Sequence, residues 1–252
     1  MRTKDIISRD NPTFKTFLRI SKAKGIKKEG LALLSGPRPI EEVLRAFPQR
    51  AAGLIYSSDH EPLSTPLQHA EPRYCLSPDL FRLLDVFDTH APLLLVKPQA
   101  LPRFSPARCA HGSTLCIPFQ DPVNVGAVIR SAAALEVSGV VILKEAAHPF
   151  HPKSLRGAGS TIFRIPIFEG PSICDLHMGD VPLITLSLRG ENLQEFIFPD
   201  TFCLLPGLEG PGLPETLHPY GRVRIPMASG VNSLNAAAAT AIVLYAWRSN
   251  RG

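Results

Sequence analysis

No stretch of this chain stays apolar for the ~18 residues that a membrane-spanning helix needs, and the longest apolar run, residues 236–247, falls short of it. The opening residues, Met1 to Asp5, lack the apolar core of a signal peptide, so a cytoplasmic protein is expected. The five cysteines (Cys75, Cys109, Cys116, Cys174 and Cys203) are odd in number and form no CxxC pair. That argues against a disulfide framework and for reduced, mostly buried thiols. The patterns GxGxxG and GxxxxGK[ST] are both missing, which removes the usual signatures of dinucleotide-binding and P-loop enzymes. His148 and His151 flank prolines and have no further ligands at metal spacing, so no metal is expected. Disorder is excluded as well, because 44% of the 252 residues are hydrophobic and only 19% are charged.

The net charge of +5 is unevenly spread. Residues 1–50 hold 12 Lys and Arg against 5 Asp and Glu, whereas the rest of the chain holds 15 against 17. Lys15, Arg19, Lys22, Lys24, Lys27 and Lys28 follow one another without an intervening acid. Such a run is either a solvated helix face or a phosphate-contacting patch for nucleic acid, and charge alone leaves both open. An anionic membrane surface is the poorer fit, because the segment lacks a strong apolar face.

Strands and helices alternate along the chain. A basic helix and loop over 14–28 precede apolar strands at 31–35, 53–56 and 93–96, with helices over 39–47 and from Pro78 to Val86. This alternation predicts a small α/β sandwich with a largely parallel sheet. Residues 98–112 carry three prolines and no periodicity, which reads as a linker. The boundary is placed near residue 105, giving one domain over 1–104 and a second over 105–252. The second offers strands at 114–119, 139–143, 163–168, 181–188, 202–205 and 223–225, and helices over 125–136 and 236–247. It reads as an open α/β sheet whose strand-end loops are where such folds bind ligands.

Three of those loops carry unusual residues. In the first, Asp121 to Arg130, Asn124 stands near a helix start and Arg130 six residues on; an Asn cap and an Arg salt bridge would suffice to explain them. The second, Gly207-Leu208-Glu209-Gly210-Pro211-Gly212, allows close backbone approach to a ligand and offers one carboxylate, although an ordinary turn would read the same. The third runs from Ile225 to Asn235, ahead of the helix over 236–247. Asn232 and Ser233 are the N-cap candidates there. The helix has almost no polar face, which predicts burial on nearly every side.

In combination these segments resemble the three motifs of the SpoU/TrmH family of RNA ribose 2′-O-methyltransferases, in the SPOUT superfamily. Asn124 and Arg130 match its N-x-G-x-x-x-R segment. Gly207, Glu209, Gly210 and Gly212 match G-x-E-G-x-G, and Ile225, Pro226, Met227, Ser233, Leu234 and Asn235 match I-P-M…S-L-N. The segment Arg156 to Ser160 is similar to the family's small-residue segment, with Ala158 in place of the usual serine. Glu136 stands where the family has a small residue, often glycine. This likeness covers residues 113–250. A weaker one, over 14–97, is to the ribosomal-protein-like substrate-binding domain that often precedes the catalytic domain.

The resemblance implies an α/β SPOUT domain with a deep trefoil knot, a homodimer formed through it, and S-adenosylmethionine as cofactor for methylation of a ribose 2′-hydroxyl in RNA. By position it implies a polar catalytic cluster of Asn124, Arg130, Glu209, Ser233 and Asn235. Leu186, Ser187, Leu188, Gly190, Gly207, Gly212, Ile225, Met227 and Leu234 would hold the cofactor. Lys15, Arg19, Lys22, Lys24, Lys27, Lys28 and Arg156 would meet RNA. A 2′-hydroxyl is a poor nucleophile until its oxygen is stabilised as charge develops. Because an arginine rarely gives up its proton, Arg130 suits phosphate orientation and oxyanion stabilisation better than general-base catalysis. Ribosomal RNA is the expected substrate and transfer RNA the alternative. The rivals from other classes are a non-catalytic RNA-binding factor on the same scaffold and a dinucleotide-dependent enzyme, which the missing GxGxxG disfavours.

Overall fold

The computed structural model describes residues 3–60, 70–109, 111–207, 213–214, 217–231 and 233–250. The chain forms, in order, β1 (Thr3–Ile6), α1 (Pro12–Ile20), α2 (Ala23–Glu29), β2 (Ala32–Ser35), α3 (Pro37–Ala46), β3 (Ala51–Ser57), β4 (Arg73–Leu76), α4 (Pro78–Arg82) and β5 (Leu93–Val96). There follow β6 (Gly112–Ile117), α5 (Pro122–Ala134), β7 (Gly139–Ile142), α6 (Pro152–Ala158), β8 (Ile167–Glu169), β9 (Leu183–Asn192), β10 (Thr201–Leu205), β11 (Gly221–Arg224) and α7 (Ala236–Ser249). None of the described helices is long and apolar enough to cross a membrane.

The elements group into two compact units, Met1–Gln99 with His148–Phe163, and Ala100–Ala147 with Arg164–Gly252. Residues 148–163, which the sequence assigned to the second domain, thus fold with the first unit. There α6 packs on β2, and Ser160 donates to Glu42 at 2.9 Å.

In the first unit the strand order is β1-β4-β3-β5-β2. β1, β4 and β3 are parallel neighbours, while β5 lies between β3 and β2 and runs antiparallel to both. Four strands therefore share one direction and one opposes them. β2 and β5 are buried throughout, as their unbroken apolar sequences require. In α1, Asn11 accepts from the amide of Thr13, Pro12 fills the first turn, and Phe14, Phe17 and Ile20 face the core. α2 folds back tightly on it at Gly25, where an added Cβ would fall 1.9 Å from the carbonyl oxygen of Arg19.

The second unit is a six-stranded, all-parallel sheet in the order β11-β9-β10-β6-β7-β8. Its last expected middle strand begins at Ile167 rather than residue 163, because a short 3-10 turn occupies Gly159–Phe163. Cys116 and Cys203 meet in the core on neighbouring strands with their sulfurs 3.0 Å apart, and all five cysteines are free. The contact with Cys116 and complete burial push the Cys203 thiol well above its usual pKa, so it stays protonated.

α5 is capped by Asp121, whose Oδ1 accepts from the amide of Val123, and not by Asn124. It ends with Glu136 in a left-handed conformation, φ 58°, while the amide of Val137 reaches back to the carbonyl of Ala132. That is the Schellman arrangement, whose left-handed position favours glycine because it lacks a Cβ. Glu136 occupies it with a side chain that ion-pairs with Arg248 at the end of α7, at 2.7 Å.

α7 departs from expectation. It buries Ala237, Thr240, Val243, Leu244 and Trp247, with the Trp247 ring edge-on to Phe202. Ala238, Ile242 (41% exposed) and Tyr245 (66% exposed) recur at i, i+4 and i+7 and face outward. Burial all round does not hold within one chain, because the unit packs neighbours against one side of this helix.

At position 136, just past the end of α5, the left-handed backbone costs a residue with a Cβ more than one exposed ion pair returns. Glu136→Gly is therefore expected to be more stable than Glu136→Ala by about 1 kcal/mol in chemical denaturation. Equal stability of the two would refute the strain.

Candidate active site

The ladder between β9 and β11 jumps. Arg222 pairs with Thr185 and the next residue, Val223, pairs with Glu191, so residues 186–190 leave the sheet as an excursion from β9. Gly190 closes that excursion. A Cβ there would stand 2.5 Å from the carbonyl oxygen of Arg222, so glycine is what lets β9 rejoin the ladder. Gly190 thus serves the strand and is not among the residues that line the cleft.

The cleft, about 950 Å3, opens at the carboxyl ends of β9, β10 and β11, the edge at which open parallel sheets bind ligands. Leu186, Ser187 and Leu188 wall it from the excursion, Gly207 from the turn after β10, and Ile225, Met227 and Leu234 from the segment after β11. Gly212, the remaining expected cofactor residue, lies outside the described residues, as does Glu209.

Ser233 and Asn235 also line the cleft, both on its exposed side. Asn235, rather than Ser233, caps α7: its Oδ1 accepts from the amides of Ala237 (3.0 Å) and Ala238 (3.1 Å). Asn232, the other candidate, lies outside the described residues. The Nδ2 of Asn235 donates to Oδ1 of Asn124 at 3.0 Å. Asn124 is only 7% exposed and stands in the first turn of α5. One side chain therefore ties the start of α7 to the start of α5, and with it two of the three sequence segments.

Arg130 is not gathered with them. Six residues carry it about 9 Å along α5 and turn it about 600° around the axis, onto another face. It is exposed, does not line the cleft, and has no ion-pair partner among the described residues.

The basic residues Lys15, Arg19, Lys22, Lys24, Lys27, Lys28 and Arg156 are all exposed. Lys15 pairs with Asp10 at 2.9 Å and Arg19 with Glu29 at 2.8 Å, so acids flanking the run in sequence offset two of its charges. The guanidinium of Arg156 lies 4.4 Å from the centre of the Phe87 ring, a stack that leaves its N–H groups free at the edge. Among the described residues one group could hold a cation, Asp85, Asp88 and His90, but Asp85 already accepts from the Thr89 hydroxyl and the His90 amide.

Sequence reasoning missed Thr185. It lines the cleft, is 1% exposed, and its Oγ1 has no hydrogen-bond partner among the described residues. A threonine within an apolar strand reads as an ordinary β-former, so only its place at the end of the paired run could have marked it.

A parallel sheet with a nucleotide-sized cleft over its strand ends and an asparagine-capped helix at the mouth defines an α/β ligand-binding domain. The family model of the SpoU rRNA Methylase family matches residues 114–245, and the chain belongs to this family. It is 41% identical over 243 residues to the ribosomal RNA small subunit methyltransferase G 2 of Syntrophobacter fumaroxidans, covering 96% of this chain but 48% of that protein. The chain thus spans about half the length of that relative. It is 29% identical over 248 residues to the 23S rRNA (guanosine(2553)-2′-O)-methyltransferase of Bacillus subtilis, covering 96% of this chain and 98% of the relative. The structure of the SpoU methyltransferase AviRb from Streptomyces viridochromogenes in complex with AdoMet aligns with a TM-score of 0.76 and 26% identity, over 96% of this chain and 98% of the other.

Asn235→Asp keeps a side-chain oxygen for the α7 cap, whereas Asn235→Ala removes the cap and strands Asn124. Urea denaturation is expected to show a loss of about 1–2 kcal/mol for Asn235→Ala and a clearly smaller one for Asn235→Asp. Equal losses would show that the cap contributes nothing.

Proposed function

We propose that this protein transfers a methyl group from S-adenosylmethionine to a ribose 2′-hydroxyl of RNA, and that its substrate is ribosomal RNA. The observation that carries the reading is the Asn235–Asn124 hydrogen bond at the mouth of the cleft, which sets a fixed amide pair beside a pocket of cofactor size. The cleft fits S-adenosylmethionine in volume and in kind, with apolar walls, glycine backbone at Gly207 and a buried hydroxyl awaiting a partner. The ribosomal assignment is supported by the Bacillus subtilis relative, which this chain matches almost end to end, more than by the half-matched Syntrophobacter protein.

Bound S-adenosylmethionine supplies an electrophilic methyl group on a sulfonium. The chain's own residues then have to place the hydroxyl and stabilise its oxygen. Leu186, Leu188, Ile225 and Leu234 exclude water from the cofactor side of the cleft. Asn235 fixes the amide of Asn124 by accepting its orientation from α7 and passing a hydrogen bond to it. Ser233, exposed at the mouth, offers a hydroxyl to the ribose. Arg130 stands apart from this cleft within one chain; by its motif position it is read as the permanent charge that holds the target phosphate and stabilises the nascent 2′-oxyanion, while phosphate or water takes the proton. Glu209, which lies outside the described residues, is read from its place in the second motif as the carboxylate that positions Asn124 or Arg130. Lys22, Lys24, Lys28 and Arg156 supply sequence-independent contacts to the RNA backbone.

The same reading includes a homodimer and the trefoil knot, and it puts the protein in the cytoplasm beside its RNA. The outward face of α7 (Ala238, Ile242 and Tyr245) supports an apolar contact with a second copy. The strand order supports a threaded path: α7 follows the edge strand β11 yet packs on α5, the helix that follows β6.

Arg130→Ala is expected to lower methyl transfer at least a hundredfold while S-adenosylmethionine binds with unchanged affinity. Single-turnover transfer of labelled methyl, alongside calorimetric titration of the cofactor, checks both. Retained turnover in the variant would remove Arg130 from the chemistry.

A further inference from the structure

The polar side chains of the cleft fall into two groups. Ser187, Arg189, Arg222, Ser233 and Asn235 stand at its partly or fully exposed mouth, where water reaches them. Thr185 does not. It is the last residue of β9 paired on both sides, to Leu205 of β10 and Arg222 of β11, before the chain departs into the 186–190 excursion. Its side chain is 1% exposed, and its Oγ1 has no partner among the described residues. A desolvated hydroxyl without a partner destabilises the fold that holds it, and valine would fill the same space without that penalty. A threonine here therefore points to a group that arrives with the ligand.

We infer that the Thr185 hydroxyl hydrogen-bonds the adenine edge of S-adenosylmethionine, an inference that rests on reading the cleft as the cofactor site. The methionine end carries two charges and the ribose two hydroxyls, and both need several polar partners, which only the mouth provides. Adenine has apolar faces that suit Leu186, Leu188, Ile225 and Leu234, and an edge that carries both ring-nitrogen acceptors and an amino donor. A freely rotating hydroxyl can donate to the first or accept from the second. Thr185 is thus a cofactor-binding residue lying inside a strand, outside all three recognised segments.

The test is calorimetric titration of the full chain with S-adenosylmethionine, S-adenosylhomocysteine and adenosine, in wild type, Thr185→Val and Thr185→Ser. Thr185→Val is expected to weaken all three ligands by the same factor of about five to ten, and Thr185→Ser by less than about two. Without ligand, Thr185→Val is expected to melt at or above the wild-type temperature, because it removes an unpaired buried hydroxyl. A Thr185→Val protein that binds S-adenosylmethionine as wild type does, or that loses affinity for it but not for adenosine, overturns the inference. A lowered melting temperature with affinity lost in both variants does so too, since it marks a structural role. If the wild type itself binds no S-adenosylmethionine, the reading of the cleft fails, and the inference with it.

Discussion

Both ends of the Asn235 amide are committed. Its oxygen satisfies two of the orphan amides at the start of α7, and its nitrogen holds Asn124 in the first turn of α5. Each half of that arrangement depends on the other, because a side chain locked by the helix cap cannot turn away from Asn124. The two helices follow strands β6 and β11, which lie three places apart in the sheet. The hydrogen bond between them therefore fixes the mouth of the cleft to the start of α5 through one amide, and any chemistry at that mouth inherits its geometry from a helix terminus rather than from a loop.

The cleft itself arises where the sheet breaks its own regularity. β9 leaves the ladder for five residues, and Gly190 is needed for it to return. Thr185, at the point of departure, keeps a buried hydroxyl without a partner among the described residues. Elsewhere the interior strands β6, β7 and β10 follow the rules of a buried parallel sheet, and α5 and α7 are capped. Departures of this kind are where function is expected to sit, since each destabilises the resting chain and only a ligand gives it a purpose.

Much of this was legible in the sequence, because parallel strands buried on both faces are unbroken apolar runs and the helices between them carry clear start signals. β6, β7, β9, β10, β11, α5 and α7 were found that way, as were the loops that line the cleft. β1 and β4 escaped: β1 is a short polar edge strand with one buried residue, and β4 follows a proline-containing approach. In the sequence Asn232, Ser233 and Asn235 are equivalent as caps, because Asn and Ser cap equally well and only the helix's true first turn separates them. Gly190, assigned to the cofactor by the family resemblance alone, meets a demand the sequence does not show: the returning strand leaves no room for a Cβ there. The outward face of α7 is invisible to periodicity, since an exposed apolar residue reads in sequence the same as one turned toward the core.

Glu136 shows how a departure from the family pattern can be physical rather than functional. Where a small residue is usual the chain adopts φ 58°, and the glutamate that bears this strain reaches Arg248 on α7. The pair pins the far ends of the two helices whose near ends Asn235 joins.

Where the methyl group goes decides the activity. Unmodified ribosomal RNA incubated with the protein and methyl-labelled S-adenosylmethionine, then digested to nucleosides and resolved by mass spectrometry, gives the answer directly. The expected result is label on one 2′-O-methylated ribose, seen also as a single alkali-resistant linkage in the RNA. Label on a base, or no transfer by a protein that binds the cofactor and the RNA, would contradict it.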